Sequence, residues 1–259
     1  MLNPVFIHAT SLSDAWFQCV YEILDKGHQY KIDKGSFEGQ QRLEFDYVTV
    51  HITHPGVRPL IPDIPPALGI PNPVVEGYVE EYLPYLMTCE VKEGEAYTYG
   101  QRLTKYPFDS HHASCFMIQD SDMWENPHIV IRENGQTFLN QIEFVIRSFK
   151  HKGCGTNQMT MQVGAPSDLL LTDPPCLRTI DCRITDGKLH FMVYFRSWDL
   201  WGGMPANLAA IQLLKEYMAD EIGVQDGEII AASKGLHLYD YTWELAKLRT
   251  MRSEAGVQK

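Results

Sequence analysis

Three absences from this 259-residue sequence each argue against a class of protein. None of the six cysteines forms a CxxC pair, so a zinc ribbon or a thioredoxin-like redox motif is not expected. No apolar run approaches the ~18 residues of a membrane helix, and residues 1–17 are too polar for a secretory signal peptide. Basic residues are also scarce: the net charge of -11 argues against the broad cationic surface that binds nucleic acid. The sequence therefore predicts a cytoplasmic protein without nucleic-acid or membrane partners, in which a local cationic pocket would bind a small anion.

Apolar periodicity and turn signals divide the chain into helices and clustered strands. Helices are predicted at residues 11–26, 74–87, 136–152, 205–222 and 241–252. Strands are predicted at residues 45–52, 158–163, 178–184, 189–195 and 228–237, with Asp186-Gly187 as a hairpin turn. The proline-rich but apolar residues 54–73 are expected to form an ordered loop on the body of the protein. We therefore predict one α+β domain over residues 1–259, a three-layer-like arrangement of helices packed on a mixed β-sheet.

Cys176 is the candidate nucleophile because it follows two rigid prolines at the start of a predicted strand. A nearby cation lowers the pKa of a thiol, and Arg178 and Arg196 are the candidate cations. If the hairpin at Asp186-Gly187 pairs the two strands, Arg196 comes close to Cys176. The alternative is a packed core cysteine, since free cysteine is among the most buried residue types. We expect that alternative, a buried reduced thiol, for the other five cysteines.

A second group follows the strand that ends near residue 195. Arg196, Ser197 and Asp199 stand at a predicted junction between strand and helix, where backbone N–H groups favour a small anion. The alternative is an ion pair between Arg196 and Asp199, with Asp199 capping the helix. Asn207, in the first turns of that helix, is either a satisfied core amide or a reader of a ligand with both donor and acceptor, such as a pyrimidine edge.

The remaining candidates give weaker signals. His237 and Tyr239 are two residues apart in a predicted strand and so share a face, with a solvent-facing edge strand as the alternative. Tyr99, in the segment Tyr-Gly-Gln-Arg, is a weak local signal of the same kind. His111 and His112 are adjacent and would point in opposite directions on a strand, so no metal site is predicted.

Four short elements occur in order between residues 174 and 239: Pro-Cys, Arg-Ser-x-Asp, Gly-x-Pro-x-Asn and His-x-Tyr. They end at Cys176, Asp199, Asn207 and Tyr239. Together they resemble the thymidylate synthase family, in particular the form found in archaea. Each element alone would be weak, but four in register are specific. They cover about a quarter of the chain, which would be the nucleotide-binding and catalytic segment, and the residues before it match far more loosely.

The resemblance implies the reductive methylation of dUMP to dTMP. In such enzymes a cysteine thiolate adds to C6 of the uracil, which makes C5 a nucleophile toward a one-carbon unit carried by a reduced pterin. The carrier would be 5,10-methylene-tetrahydrofolate or a modified reduced pterin similar to tetrahydromethanopterin, with no metal.

The resemblance also assigns a role to each candidate. Cys176 would be the covalent nucleophile, Arg196 and Ser197 would bind the phosphate, and Asn207 would read uracil O4 and N3–H. His237 and Tyr239 would bind the ribose 3′-hydroxyl, Asp199 would lie beside the pterin, and Tyr99 would lie near the base and the proton-transfer water. Glu81 is our choice for the carboxylate that organises proton transfer, with Glu80 and Glu76 as alternatives.

The sequence departs from the family pattern in three places. The arginine pair that members lend across a homodimer is absent from residues 155–159, so a homodimer is expected from the family but a monomer is an alternative. Other cations that could substitute are Arg58, Lys152 and Arg178. The apolar closing tail is replaced by residues 254–259, and the amino-terminal arginine loop has no clear counterpart, so we assign its phosphate-binding role to Arg58.

Two other functions remain open on the sequence. A pyrimidine-nucleotide hydroxymethylase of the same fold, acting on dUMP or dCMP, is the nearest; the amide of Asn207 favours uracil over cytosine. A non-catalytic nucleotide-binding module is the other, and the presence of Cys176 together with Arg196 argues against it, since binding alone needs no thiol.

Overall fold

The computed structural model describes residues 1–33, 37–75, 77–109 and 121–252. The strands, in chain order, are β1 Pro4–Ala9, β2 His28–Lys31, β3 Gln41–Glu44, β4 Tyr47–Ile52, β5 Tyr106–Phe108, β6 Val130–Glu133, β7 Gln136–Leu139, β8 Thr160–Gln162, β9 Leu177–Thr185, β10 Lys188–Phe195, β11 Trp198–Asp199, β12 Gln225–Ser233 and β13 Leu236–Tyr239. The α-helices are α1 Leu12–Lys26, α2 Tyr78–Met87, α3 Tyr99–Thr104, α4 Ser121–Glu125, α5 Gln141–Lys152, α6 Gly203–Ile222 and α7 Trp243–Arg249. Mixed sheets packed with helices make this the predicted α+β fold.

The largest sheet has six strands in the order β1-β4-β12-β10-β9-β8, with both parallel and antiparallel neighbours. Side chains alternate across it: Val50, Ala231 and Val193 are buried on one face. Helices α1 and α6 pack against the strands on that side. The opposite face carries Ile230 and His51 at neighbouring positions and stays partly exposed. The main core is therefore on one side of this sheet only.

A tight hairpin connects β9 to β10 and sets the register of the strands beside Cys176. Asp186 and Gly187 have φ values of 53° and 70°, the positive values that a two-residue type I′ turn requires. The predicted turn is confirmed, and Thr185 pairs with Lys188 beside it. Any residue other than glycine, asparagine or aspartate would be strained at these angles.

A second sheet, in the order β11-β13-β3-β2, holds the carboxyl-terminal part of the candidate segment. Strand β13 is an inner strand, parallel to β11 and antiparallel to β3. The buried indole of Trp16 on α1 donates to the carbonyl oxygens of Leu200 and Trp201, each at 3.1 Å, and so ties α1 to the turn that precedes α6. A third sheet, β5-β7-β6, carries a small apolar cluster of its own.

Two helix predictions are close to the structure. Helix α1 was expected over residues 11–26, and Ser11 caps it by accepting a hydrogen bond from the Asp14 amide, while Gly27 follows its end. Helix α6 was expected over residues 205–222 and starts two residues earlier, because Asp199 rather than a proline marks its beginning.

Other boundaries were wrong. The single helix predicted over residues 136–152 is a strand, β7, followed by α5, because Asn140 accepts a hydrogen bond from the Glu143 amide and starts the helix there. The single strand predicted over residues 228–237 is two strands, broken where the Gly235 amide donates to the Ser233 hydroxyl. In both cases a side-chain oxygen accepts a hydrogen bond from a nearby backbone amide at the point where one element ends and another starts.

The other two predicted helices begin later along the chain than expected. The helix expected over residues 74–87 begins only at Tyr78 and continues past Pro84 to Met87. The last helix, expected over residues 241–252, is a 3-10 turn, Asp240–Thr242, followed by α7.

The proline-rich residues 54–73 form an ordered loop, as predicted. Leu60, Ile64 and Ile70 are buried in the main core, and the Ile64 amide donates to the side chain of Asn72 at 2.7 Å. A single 3-10 turn, Pro66–Leu68, is its only helical element. Among the described residues, none of the helices combines the length and apolar character that crossing a membrane would require.

The cysteines divide differently from the prediction of five buried thiols. Cys19 and Cys182 are buried as expected, but Cys89 and Cys154 are exposed because they lie in loops. Cys115 lies outside the described residues.

Candidate active site

Cys176 and Arg196 are neighbours at the open end of the β9–β10 hairpin. The Arg196 amide donates to the Cys176 carbonyl at 2.8 Å, and Cys176 is half-buried just before β9. The Arg196 guanidinium lies on the preceding loop: Nε donates to the Pro175 carbonyl at 3.2 Å, Nη2 donates to the Pro174 carbonyl, and Nη2 meets Asp173 Oδ1 at 3.1 Å. The pairing inferred from the hairpin is thus present in the structure.

Burial raises the pKa of the Cys176 thiol, and this effect exceeds the lowering by Arg196. The Asp173 carboxylate raises the thiol pKa further, while Arg178 lowers it. Arg196 therefore lowers the thiol pKa as expected, but the opposite effect of burial is larger. In the free protein the sulfur is a protonated thiol near neutral pH.

Asp199 caps α6 instead of pairing with Arg196. Its carboxylate accepts from the amides of Trp201 at 3.2 Å, Gly202 at 3.0 Å and Gly203 at 2.8 Å. The capping alternative is correct, whereas the ion pair with Arg196 is not formed, because Arg196 turns toward Asp173. The half-buried Ser197 hydroxyl makes no hydrogen bond with any residue that the structure describes.

Asn207 is held from both sides in a fixed orientation. Its Oδ1 accepts from the indole Nε1 of Trp198 at 3.0 Å, and its Nδ2 donates to the hydroxyl of Tyr82 at 3.0 Å. Rotating the amide by 180° would set its NH₂ group against the Trp198 N–H, two donors facing each other. One N–H and one oxygen lone pair of the amide remain available. Tyr82, on α2, was not among the predicted site residues, and only the fold brings it here.

His237 and Tyr239 share one face of the second sheet, as their spacing predicted. Their rings meet edge to face with centroids 4.7 Å apart. The solvent-facing alternative is wrong, because β13 is an inner strand and His237 is 3% exposed. His237 Nδ1 lies 2.8 Å from the Gly235 carbonyl, which can only accept, so Nδ1 carries the proton.

The second ring nitrogen of His237, Nε2, is buried and has no hydrogen-bond partner among the described residues. Burial lowers the pKa of His237, and the Arg42 charge adds to that effect. The ring is therefore neutral near pH 7, and Nε2 is an acceptor. Burial raises the pKa of Tyr239 to about 12, so its hydroxyl stays protonated and can donate.

Tyr99 begins α3 and lies against the start of β9. Its hydroxyl accepts from the Leu177 amide at 3.3 Å, which leaves the phenolic proton free to donate. Burial raises the pKa of Tyr99, and the nearby Cys176 contributes to the rise, so the phenol stays protonated. Tyr99 is thus brought to the residue that follows Cys176.

A cavity of about 520 Å³ opens beside Tyr99. Its walls include four tyrosines, together with Glu95 and Asp173; the tyrosines are Tyr82, Tyr85, Tyr97 and Tyr99. The rings of Tyr82 and Tyr85 are stacked with centroids 6.0 Å apart. The lining is flat, aromatic and acidic at its edge, which suits a planar heterocycle that offers N–H donors.

The predicted carboxylates lie on α2 at the edge of this region. Glu80 and Glu81 are both exposed, and Glu81 shares a helix face with Tyr85, four residues later. Glu76 lies outside the described residues. Glu95, which was not among the predicted site residues, accepts from the Tyr85 hydroxyl at 2.7 Å and lines the cavity. Nothing in its local sequence marked it.

Arg58 is not brought to this group. It forms a two-pronged ion pair with Glu216, with both contacts at 2.7 Å, in the second half of α6. At 1.5 Å of rise per residue, Glu216 is about 20 Å along the helix from the turn that Asp199 caps. Arg178, another proposed substitute cation, is bound to the buried Asp168 at 3.0 Å.

No group of three or more His, Cys, Asp or Glu side chains within the described ranges is placed to hold a metal ion. His111 and His112 fall outside those ranges, as does the carboxyl-terminal segment 254–259 whose sequence departs from the family pattern.

Comparison with known proteins agrees with the geometry. Residues 93–258 match the family model described as thymidylate synthase. A protein of Methanosarcina mazei named as a provisional thymidylate synthase is 30% identical over 93% of this chain and 92% of its own length. Proteins with the same name from Methanosarcina barkeri and Methanothermobacter thermautotrophicus are 27% and 24% identical, over 93% of this chain in each case and over 92% and 96% of their own lengths.

Proposed function

The chain belongs to the thymidylate synthase family, and from that membership we propose that it converts dUMP to dTMP by covalent catalysis from Cys176. The observation that carries this proposal is the meeting of three groups at one end of the β9–β10 hairpin. The Arg196 amide donates to the carbonyl, and the Tyr99 hydroxyl accepts from the N–H, of the same peptide group, the one between Cys176 and Leu177, next to the half-buried Cys176 side chain.

In the free protein the Cys176 sulfur is a protonated thiol, so its reaction depends on how the nucleotide is bound beside it. The Arg196 guanidinium and the unpaired Ser197 hydroxyl bind the phosphate. We propose that Arg196 leaves the exposed Asp173 for the phosphate, since an ion pair with an exposed carboxylate is weak. In the reaction the Cys176 sulfur gives up its proton and bonds to C6 of the uracil, and the C5–C6 π electrons move toward O4. C5 becomes the nucleophile toward the one-carbon unit, and the sulfur stays bonded to C6 until hydride reaches the exocyclic carbon. The sulfur then leaves as the C5–C6 double bond re-forms and the methyl group is completed.

Asn207 is proposed to read the base. Its one remaining N–H and one remaining lone pair match uracil O4 and N3–H, and the orientation set by Trp198 and Tyr82 keeps the amide from turning to suit cytosine. That fixed orientation favours uracil over the cytosine that a hydroxymethylase of this fold accepts.

His237 and Tyr239 are proposed to bind the 3′-hydroxyl of the sugar. The neutral ring presents Nε2 as an acceptor for the hydroxyl proton, and the Tyr239 hydroxyl can donate to the hydroxyl oxygen. Tyr99 is protonated, and its phenolic proton is free to donate. We propose that it holds the water that receives the C5 proton, and that the Glu81 carboxylate accepts this proton from the water.

The tyrosine-lined cavity and the Asp199 carboxylate are the groups proposed to hold the reduced pterin, whether methylene-tetrahydrofolate or a modified pterin. Stacked aromatic walls fit its flat ring system, and the Glu95 and Asp173 carboxylates fit its N–H donors. When bound, the carrier supplies the one-carbon unit and the hydride that completes the methyl group.

We further propose that residues 1–259 act as one domain, because the main core draws on elements from β1 to α7. For the assembly we propose a homodimer formed through the partly exposed face of the six-stranded sheet, where Phe6, Tyr47 and Ile230 are exposed. A monomer is the alternative that the missing arginine pair leaves open.

The test is the mass of the intact protein after incubation with 5-fluoro-dUMP and a reduced, methylene-carrying pterin. A covalent adduct is expected in the wild type and not in Cys176→Ala. Cys182→Ala is the matched control, since Cys182 is a buried thiol on β9, the strand that begins directly after Cys176. A complex that is noncovalent in the wild type would contradict the enzyme proposal and favour a binding module.

A further inference from the structure

Strand β3 lies beside β13 and presents two charged side chains to the His237–Tyr239 face. Glu44 pairs directly with His237 and Arg42 pairs directly with Tyr239 across the antiparallel ladder. Directly opposed residues in a sheet project from the same face, about 5 Å apart at Cβ. The Glu44 carboxyl carbon would also lie 3.7 Å from a Cβ placed on Gly235, whose carbonyl binds His237 Nδ1.

Three buried polar atoms on this face have no hydrogen-bond partner among the described residues. They are Arg42 Nε, Glu44 Oε2 and His237 Nε2. Arg42 Nη2 lies 2.7 Å from Glu44 Oε2, which holds the two charges together without an aligned hydrogen bond. Unpartnered buried polar atoms are costly and rare. Arg42 Nε and His237 Nε2, beside the ion-paired Glu44 carboxylate, therefore indicate that a further group completes this face.

The kind of group follows from the donor and acceptor types. Glu44 Oε2 and the neutral His237 Nε2 are acceptors, and Arg42 Nε is a donor. A phosphate offers only acceptors and a negative charge, so it would oppose two of the three atoms. A hydroxyl donates and accepts at once, and therefore fits a site with both kinds of partner.

We propose that Arg42 and Glu44 read the sugar hydroxyl of the nucleotide together with His237 and Tyr239. This rests on the proposed function, since it needs a deoxynucleotide at Cys176. Glu44 accepts a hydrogen bond from the sugar hydroxyl, either directly or through a water that Glu44 binds. Arg42 donates a hydrogen bond to the hydroxyl oxygen. The ring of Phe37 also borders this face, with its centroid 4.5 Å from that of Tyr239.

The competing assignment is that Arg42 binds the phosphate, as the cation that Arg58 does not supply. The two assignments differ in the ligand group that Arg42 contacts, which is the sugar hydroxyl in one and the phosphate in the other. A sugar-reading arginine contributes equally to dUMP and to deoxyuridine, which lacks the phosphate. A phosphate-binding arginine contributes to dUMP alone.

Calorimetric titration separates them in the wild type, Glu44→Gln and Arg42→Met, with dUMP, 2′,3′-dideoxyuridylate and deoxyuridine as ligands. In the wild type, loss of the 3′-hydroxyl is expected to weaken binding roughly tenfold, the scale of one hydrogen bond to a charged group. In Glu44→Gln the same loss is expected to weaken binding only about twofold. Arg42→Met is expected to lower the affinity for dUMP and deoxyuridine by the same factor.

Glu216→Gln is the matched control, because Glu216 is a carboxylate paired with an arginine elsewhere on the molecule. It should keep the full wild-type penalty for the missing hydroxyl. If Glu44→Gln also kept it, or if Arg42→Met weakened only dUMP, the sugar assignment would be overturned while the proposed function stood. A wild type that bound none of the three ligands would overturn both. Should Arg42→Met fail to fold, Arg42→Lys provides the same comparison with the charge retained.

Discussion

At the scale of single residues, the reactivity of Cys176 depends on two opposing influences. Burial raises the pKa of the thiol, and the Arg196 charge lowers it. Replacing Arg196 by methionine removes the lowering influence, so the thiol pKa should rise and the thiolate fraction at pH 8 should fall. We expect iodoacetamide labelling of Cys176 to slow about three- to tenfold in Arg196→Met and to change little in Arg196→Lys, which keeps the charge.

Labelling should be followed on the Cys176 peptide by mass spectrometry, because Cys89 and Cys154 are exposed and will also react. The pH of half-maximal labelling should move upward in Arg196→Met. Equal rates at neutral pH in the two variants and the wild type would show that the guanidinium does not influence the sulfur.

Base selection is a second single-residue property. In Asn207→Asp the Trp198 indole can still donate to the new carboxylate, and the Tyr82 hydroxyl can turn to donate to it as well. The variant should therefore fold, but it offers no N–H to uracil O4. We expect the ratio of kcat/KM for dCMP over dUMP to rise by a factor of ten or more, since a lost hydrogen bond in a polar site costs roughly 1.5–3 kcal/mol. An unchanged ratio would remove Asn207 as the base reader.

The sequence predicted that Arg196 lies beside Cys176, but it assigned Arg58 to the site wrongly and did not show how each residue is held. The hairpin turn at Asp186-Gly187 sufficed to bring Arg196 to Cys176, because a two-residue turn fixes the register. The partner of Arg196 could not be predicted, since Asp199 is much nearer along the chain, whereas Asp173 reaches Arg196 only because the fold pairs Arg196 with Cys176. Tyr82 could not be linked to Asn207 either, because that contact depends on how α2 lies against α6.

At the scale of elements, one buried carboxylate joins α3, the helix of Tyr99, to β9, the strand that follows Cys176. Asp168 accepts from Arg102 on α3 at 2.8 Å and from Arg178 on β9 at 3.0 Å. Removing one partner from a buried ion pair leaves the others uncompensated, which costs roughly 3–5 kcal/mol. We expect Asp168→Asn to lower the free energy of unfolding, measured in urea, by about that amount. Glu133→Gln, in the exposed pair with Lys105, should change it by less than about 1 kcal/mol.

The same carboxylate gives a pH dependence with a definite sign. Burial alone would raise the pKa of Asp168, but the Ala165 amide and the two arginines hold it below its usual range. Its contribution is therefore complete above the unfolded-state pKa of about 3.9 and is lost as pH falls through the lower folded-state value. The stability difference between the wild type and Asp168→Asn should be constant near neutrality and shrink below about pH 4. A difference that grew on acidification would contradict this ion-pair account.

Element types were more predictable than element limits. The apolar stripe of α6 and its terminal Gly223 fixed that helix within two residues. The stretch from residue 136 to 152 was misassigned because Phe138 fits a helical stripe and a strand equally well. Only the hydrogen bond from the Glu143 amide to Asn140 separates β7 from α5, and a sequence pattern of this length does not reveal it.

At the scale of the whole molecule, the six-stranded sheet is covered by helices on one face only, and this bears on how the chain associates. One face is buried under α1 and α6, while the other leaves Phe6 at 66% and Ile230 at 39% exposure. Apolar side chains gathered on an open sheet face favour association with a second copy, because the same face on both subunits can close on itself around a two-fold axis. The sequence predicted a mixed sheet packed with helices, but not that one face of the largest sheet stays open.

We therefore expect the 29.6 kDa chain to behave as a dimer of about twice that mass in size-exclusion chromatography with light scattering. Ile230→Glu places a charge at the centre of the open face on β12, where burial against a second subunit would be costly but exposure in a monomer is not. The variant should be monomeric while its melting temperature at high dilution stays near that of the wild type. Leu248→Glu, on an exposed position of α7, is the control and should remain dimeric. A wild type that is already monomeric at micromolar concentration would rule out the dimer, and the open face would then need another partner.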